Sequence, residues 1–164
     1  MTRTIRTEPL HRAAFAPFGQ VIEREGAHHY PINGGRCERY HDLAEVELGG
    51  ANPRPLISIF ESRCYTLPLT LALVERHPLG SQAFYPLSLH PFLVIVAPDM
   101  SGTPGTPRAF LTGPGQGVNI AMNVWHGVLT PLVADAGFLV VDRGGDGDNL
   151  EEFTYPEPWL VEAG

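Results

Sequence analysis

The chain predicts an all-β fold of the barrel or sandwich class, on three observations. With 18 Gly and 16 Pro among 164 residues, punctuation is too dense for long helices. The apolar runs are short and strand-sized, and turn residues bound nearly all of them. Many short strands between Gly- and Pro-rich turns close most readily into a barrel or a sandwich.

In chain order, residues 8–16 predict the one helix: Thr7 can cap it, Pro9 suits a first turn and Gly19 follows its end. Strands are expected at 55–62 (PLISIFES), 92–97 (FLVIVA), 108–111 (RAFL), 123–129 (NVWHGVL) and 137–142 (GFLVVD). Residues 98–107 (PDMSGTPGTP) predict a surface loop without chemistry. DRGGDGDN (142–149) alternates acid and Gly but lacks the closing Glu of an EF-hand, so it is expected to be a turn after a buried strand. No repeat or boundary divides residues 1–164, which predict a single domain.

Composition excludes several functions. The formal net charge of -7 argues against a nucleic-acid partner, because phosphate binding rests on clustered Lys and Arg. All 11 basic residues are Arg, so a Schiff-base lysine and a phosphate-loop lysine are ruled out within this chain. Cys37 and Cys64 form no C-x-x-C pair and are expected to be reduced, partly buried thiols of a cytoplasmic protein. The N-terminal stretch has no apolar core of signal-peptide length, and no run reaches the ~18 apolar residues of a membrane span.

Two segments carry candidate chemistry. In ERHPLGSQAFYP (75–86), Glu75 and His77 stand two apart, so on a strand they share a face while Arg76 points the other way. Gln82 follows beyond a Pro-Leu-Gly turn. In GPGQGVNIAMNVWHGVLT (113–130), Asn123 can take the left-handed conformation of a tight turn, which sets His126 just inside a strand and Trp125 on its opposite face. Any one of these side chains alone reads as a hydrogen-bonded strand residue. The residues leave open a metal site, a metal-free acid–base site and a polar barrel edge.

Together the segments resemble the two motifs of the cupin fold, a small jelly-roll β-barrel. In the first, H-x-H-xxxx-E, the matching positions are Glu75, His77 and Gln82. In the second, G-xxxxx-P-x-G-xx-H-xxx-N, they are Gly115, Ala121, Asn123, His126 and Thr130. The spacing matches throughout, while Glu and Gln replace the first His and the acid. ERYHDLAEVEL (38–48), LPLTLALVERHPLGSQAFYPL (67–87), RAFLTGPGQGVNIAMNVWHGVL (108–129) and FLVVDRGGDGDN (138–149) further resemble the ureidoglycolate lyase family of allantoin degradation. The resemblance implies a cupin-like barrel, commonly a homodimer, that cleaves ureidoglycolate to glyoxylate and urea.

That reaction needs a base for the hydroxyl proton, an acid for the departing nitrogen and a clamp for the carboxylate. A divalent cation would lower the hydroxyl pKa, and the O and N ligands of Glu75, His77, Gln82 and His126 suit Mn, Ni or Zn better than Ca. Without a metal, the same residues are the expected acid and base. Arg39, Tyr40, His41 and Arg108, in the family-like segments, are the candidate substrate-binding residues, an Arg being able to grip a carboxylate bidentately. Arg76 and Arg143 are expected to be structural. An amidohydrolase acting on the same substrate and a non-catalytic small-acid-binding cupin are the alternatives.

Overall fold

The computed structural model describes residues 3–164. Its elements are β1 (Arg3–Pro9), α1 (Arg12–Phe15), β2 (Gly19–Ile22), β3 (His29–Ile32), β4 (Cys37–Tyr40), β5 (Arg54–Ser62), β6 (Leu69–Arg76), β7 (Gln82–Pro86), β8 (Phe92–Ala97), β9 (Arg108–Leu111), β10 (Gly117–Ile120), β11 (Trp125–His126), β12 (Thr130–Pro131), β13 (Ala136–Gly144) and β14 (Glu151–Glu162). A short 3-10 turn, Asn33–Gly35, joins β3 to β4.

The strands form a closed ring and an open sheet. The larger sheet runs β11-β6-β14-β1-β9-β8-β12, and a further pairing of β11 with β8 closes six of its strands on themselves. The second sheet runs β2-β10-β7-β13-β5, and β3 with β4 makes a separate hairpin. Strand β8 shows why the two layers adhere. Phe92, Val94 and Val96 face the five-stranded sheet, while Leu93, Ile95 and Ala97 fill the ring. A strand buried on both faces reads as an unbroken apolar run, which is how FLVIVA reads. Phe15, Phe92, Phe110 and Phe138, each at most 1% exposed, anchor the layer between ring and sheet. Burying one such side chain contributes roughly 1.5–3 kcal/mol.

Three expectations need correction. The helix expected over 8–16 is only Arg12–Phe15, and its first residues instead end strand β1. Strand β1 lies parallel between β14 and β9, with Thr7, Glu8 and Pro9 opposite Ala109, Phe110 and Leu111, so sheet bonds outcompete a one-turn helix whose N-cap, His11, makes no capping bond. The strand expected over 123–129 shrinks to Trp125–His126, because Asn123 turns with φ 65° and the chain leaves the ladder after Gly127 bonds Ile95. Cys37 and Cys64 are both exposed, not partly buried. Residues 98–107 form the expected surface loop, which also serves the fold: Asp99 accepts hydrogen bonds from Trp125 Nε1 at 2.8 Å and from Arg76 at 3.0 Å.

The long strand β14 has no counterpart among the expected strands. Its EEFTYPEPWLVE carries Pro156 and Pro158, which suppress a strand reading, yet both fall where the register with β6 breaks between Thr154 and Trp159. A bulge is where a missing N–H donor is tolerated.

Candidate active site

Strand alternation sorts the chemistry on β6 and β11. His126 lies opposite Glu75, and Trp125, one residue earlier, turns to the other face and packs inside the ring. Arg76 follows Trp125 to that side, its guanidinium 4.3 Å over the indole, and pairs with Asp99 and Glu151. Glu75 and His126 therefore face the five-stranded sheet, across from Gln82 at the start of β7. His77, one residue past β6, comes within 3.9 Å of the Glu75 carboxylate and 5.2 Å of the His126 ring, centre to centre.

Hydrogen bonds from behind fix how these rings are presented. His77 Nδ1 donates to the Asn149 carbonyl at 2.8 Å, and the Asn149 side chain accepts the Leu79 N–H at 2.8 Å. His126 Nδ1 donates to the Gly127 carbonyl at 2.9 Å. With each Nδ1 carrying the proton, each Nε2 is left with a lone pair. Both Nε2 atoms are buried without a partner, and so is Oε1 of Gln82, whose amide nitrogen is bonded to Asp142 at 3.2 Å. Of seven such orphaned side-chain atoms among the described residues, three belong to this cluster, so the convergence is a local feature.

The cluster thus presents two imidazole nitrogens, an amide oxygen and a carboxylate, all acceptors. Buried acceptors without donors are costly unless something positive fills the space between them. Ligand atoms of Glu75, His77 and His126 lie within 4.8 Å of one another, which one cation can span. Burial sets the proton affinities. Desolvation, with a smaller contribution from His77, pushes the His126 pKa down to about 4 against the help of the Gly127 carbonyl. Desolvation raises the Glu75 carboxyl, which His77 partly offsets and Glu152 reinforces.

A cavity of about 390 Å³ opens onto the cluster, lined by Glu75, Gln82, Phe84 and His126 and rimmed by Phe60, Glu61, Tyr65, Val128 and Leu129. A larger one of about 850 Å³ lies near Arg12, Arg24 and Gln116, but its Gln116 already bonds Glu23, Leu10 and Gly113. The unpaired chemistry is in the smaller cavity.

Other candidates lie elsewhere. Arg39 and Tyr40 are on the β3–β4 hairpin, Arg39 6.0 Å over the Tyr30 ring and Tyr40 stacked on His29. His41 lines a different cavity with His28 and Gln20. Arg108 is paired with Glu8 and lies over Phe110. None of these four lines the cavity at the cluster. Arg143 binds the Gly49, Ala51 and Asp146 carbonyls, a role within the fold. Asn149 and Asp142, which hold His77 and Gln82, escaped notice because nothing in DRGGDGDN marks it as lying against the site.

A small barrel in which Glu75, Gln82 and His126 line one cavity, with His77 beside them, is a site of the cupin-like class. The sequence family described as Ureidoglycolate lyase matches residues 2–162. Ureidoglycolate lyase of Chelativorans sp. is 63% identical over 97% of this chain and 96% of its own. Ureidoglycolate lyase 2 of Rhizobium meliloti is 60% identical over 94% of each. Ureidoglycolate lyase of Mesorhizobium japonicum is 61% identical over 98% of each. The chain belongs to the ureidoglycolate lyase family.

Proposed function

We propose that the protein is a carbon–nitrogen lyase that cleaves (S)-ureidoglycolate to glyoxylate and urea. The observation that carries this reading is the set of acceptors gathered at one place: Oε1 of Gln82, Nε2 of His126 and the Glu75 carboxylate line one cavity, and Nε2 of His77 lies beside them within 4.8 Å of the Glu75 and His126 ligand atoms. The relatives' printed activity supports the choice of substrate.

The same four residues fit a divalent cation, with Mn, Ni or Zn favoured by the mixed N and O donors. When bound, such an ion lowers the pKa of a hydroxyl and polarises the carbon that bears it. The chain's own groups act around that centre. Asn149 and the Gly127 carbonyl hold the two imidazoles in the tautomer that turns a lone pair to the substrate. The low pKa of His126 keeps its Nε2 unprotonated at neutral pH. The substrate's O–H bond breaks and the Glu75 carboxylate takes its proton, the O–H electrons close the carbonyl of glyoxylate, and the carbon–nitrogen bond releases the ureido nitrogen, which takes up a proton. Glu75, whose proton affinity burial raises, is the carboxyl placed to supply that proton.

Release of urea in a coupled assay, with elemental analysis of the same preparation before and after chelation, tests this reading. Ammonia as the nitrogen product would indicate an amidohydrolase, and binding without turnover a small-acid-binding protein. We also propose a homodimer, because β5 is an unpaired edge whose Ile57 and Ile59 are 77% and 66% exposed. Sedimentation showing only monomer at micromolar concentration would exclude it. Two exposed free thiols favour a reducing compartment, the cytoplasm.

A further inference from the structure

The cavity lacks one group that its proposed substrate requires. Ureidoglycolate is a carboxylate, yet the lining contributes Glu75 and Glu61, and among the described residues no Arg lines it. The chain has no Lys to stand in. A divalent cation at the cluster would offset the Glu75 charge, but it supplies no pair of N–H donors to grip a carboxylate bidentately as an Arg does. Most of the well-placed cations are committed elsewhere. Arg6, Arg12, Arg76 and Arg108 are each paired with a carboxylate, and Arg143 is surrounded by backbone carbonyls.

Two uncommitted guanidinium groups sit together on the β3–β4 hairpin. Arg36 and Arg39 are exposed, and the hairpin's one acid, Glu38, is taken by His29. The order β2-β10-β7-β13-β5 separates this hairpin from the cavity mouth. His41, at the hairpin's base, shares a cavity with Gln20 and Val21 of β2, at one end of the sheet. The mouth lies at the other end, along β5. There Phe60 points toward Phe84 in the core but remains 38% exposed because no strand continues the sheet. Tyr65 and Val128, on the same rim, are 41% and 48% exposed. The mouth of a site for a small polar anion is thus largely apolar at its rim, acidic at Glu61 and Glu75, and open at an unpaired edge.

We propose that the site is shared between two copies of the chain: each partner's β3–β4 hairpin closes the mouth along β5 and delivers the partner's Arg39 as the clamp for the substrate carboxylate. This rests on the lyase reading for its substrate. The complementarity is one of charge, a basic hairpin meeting an acidic cavity, and of surface, since the rim leaves apolar area for a second chain to cover. Two-fold symmetry makes the exchange reciprocal, so a dimer has two such composite sites.

The protein's own thiols test the geometry independently of any activity. Cys37 lies on the hairpin and Cys64 is the chain neighbour of the rim residue Tyr65, and both are exposed. A short bifunctional maleimide is expected to yield a covalent dimer in which the Cys37 peptide is joined to the Cys64 peptide. Changing either Cys to Ser should abolish it. No covalent dimer, or only like-to-like links, would overturn the proposal. Subunit mixing tests the chemistry. Arg39→Ala and His126→Ala should each release almost no urea alone, while their equimolar mixture, after exchange confirmed by mass spectrometry, recovers about a quarter of wild-type activity, because half the dimers are mixed and each has one intact site. Arg39→Gln, with its fold checked by circular dichroism, should behave like Arg39→Ala. Wild-type rates in Arg39→Ala, loss of activity in Arg63→Ala instead, or no recovery on mixing would each overturn the shared clamp. Absence of urea from the wild type would count against the lyase reading alone, and the cross-link would still decide the shared geometry.

Discussion

Residues 75 and 76 on β6, and 125 and 126 on β11, are chain neighbours that the sheet sends to opposite faces. On one face Arg76 and Trp125 build a closed polar network: Arg76 binds Asp99 and Glu151, and Trp125 Nε1 donates to the same Asp99. On the other, Glu75 and His126 join His77 and Gln82 in a cluster whose acceptors lack partners. Within one strand pair, satisfied polar groups mark scaffold and unsatisfied ones mark chemistry. Orphaned buried acceptors are costly, and several of them gathered at one place are expected where a ligand or an ion completes them.

The largest effect that could break this comparison is on turnover. His126→Ala should lower urea release per folded molecule about 10²–10⁴-fold, beyond what its loss of stability explains, and a loss of activity that only tracks the loss of folded protein would place His126 in the scaffold. Trp125→Ala should show the converse. Loss of a side chain only 2% exposed should cost about 3–5 kcal/mol in denaturant unfolding, and urea release per folded molecule should hold close to wild type.

Acidification sharpens the contrast within the cluster. The His126 pKa, lowered to about 4 in the folded protein, means that its stabilising contribution is complete above its ordinary value near 6.5 and is lost as pH falls towards 4. Glu75 acts in the opposite sense: its raised pKa contributes stability at low pH that is lost as pH rises through the folded value. Chelator-treated His126→Gln should therefore lose less thermal stability between pH 6.5 and 4 than chelator-treated wild type. Glu75→Gln should flatten the change at higher pH instead. Identical melting profiles for all three would mean that neither group titrates in the fold.

The smallest effect is expected at the scaffold ion pairs. Arg76→Met should cost about 1 kcal/mol and lose that difference in high salt, because Asp99 and Glu151 are both substantially exposed. A larger cost that salt does not touch would point to the packing of Arg76 on Trp125 as its main contribution.

Sequence patterning reached the strands whose burial is symmetrical or strictly alternating. FLVIVA and RAFL were legible with their boundaries, since a short apolar run that starts straight after a Pro and stops at turn residues reads as a buried strand wherever it packs. It failed where partners decide. RTIRTEP became a strand because β9 and β14 offer it hydrogen bonds, and no local feature of those seven residues announces two parallel neighbours. EEFTYPEPWLVE looked interrupted because a bulge that absorbs two prolines exists only once β6 lies alongside.

The site divides in the same way. Its residue types and spacing were determined by the sequence alone: a period of two puts Glu75 and His77 on one side and Arg76 on the other, and a left-handed Asn123 returns the chain at His126. What the tertiary structure decided is which of these groups are left unpaired. Asn149 binds His77, Asp142 binds Gln82 and Asp99 binds Trp125 across separations of 72, 60 and 26 residues. The hairpin bearing Arg39 and Tyr40 was set away from the cavity by the same long-range pairing. A side chain's own chemistry is local, whereas its hydrogen-bond satisfaction depends on atoms that only folding brings within 3 Å or so.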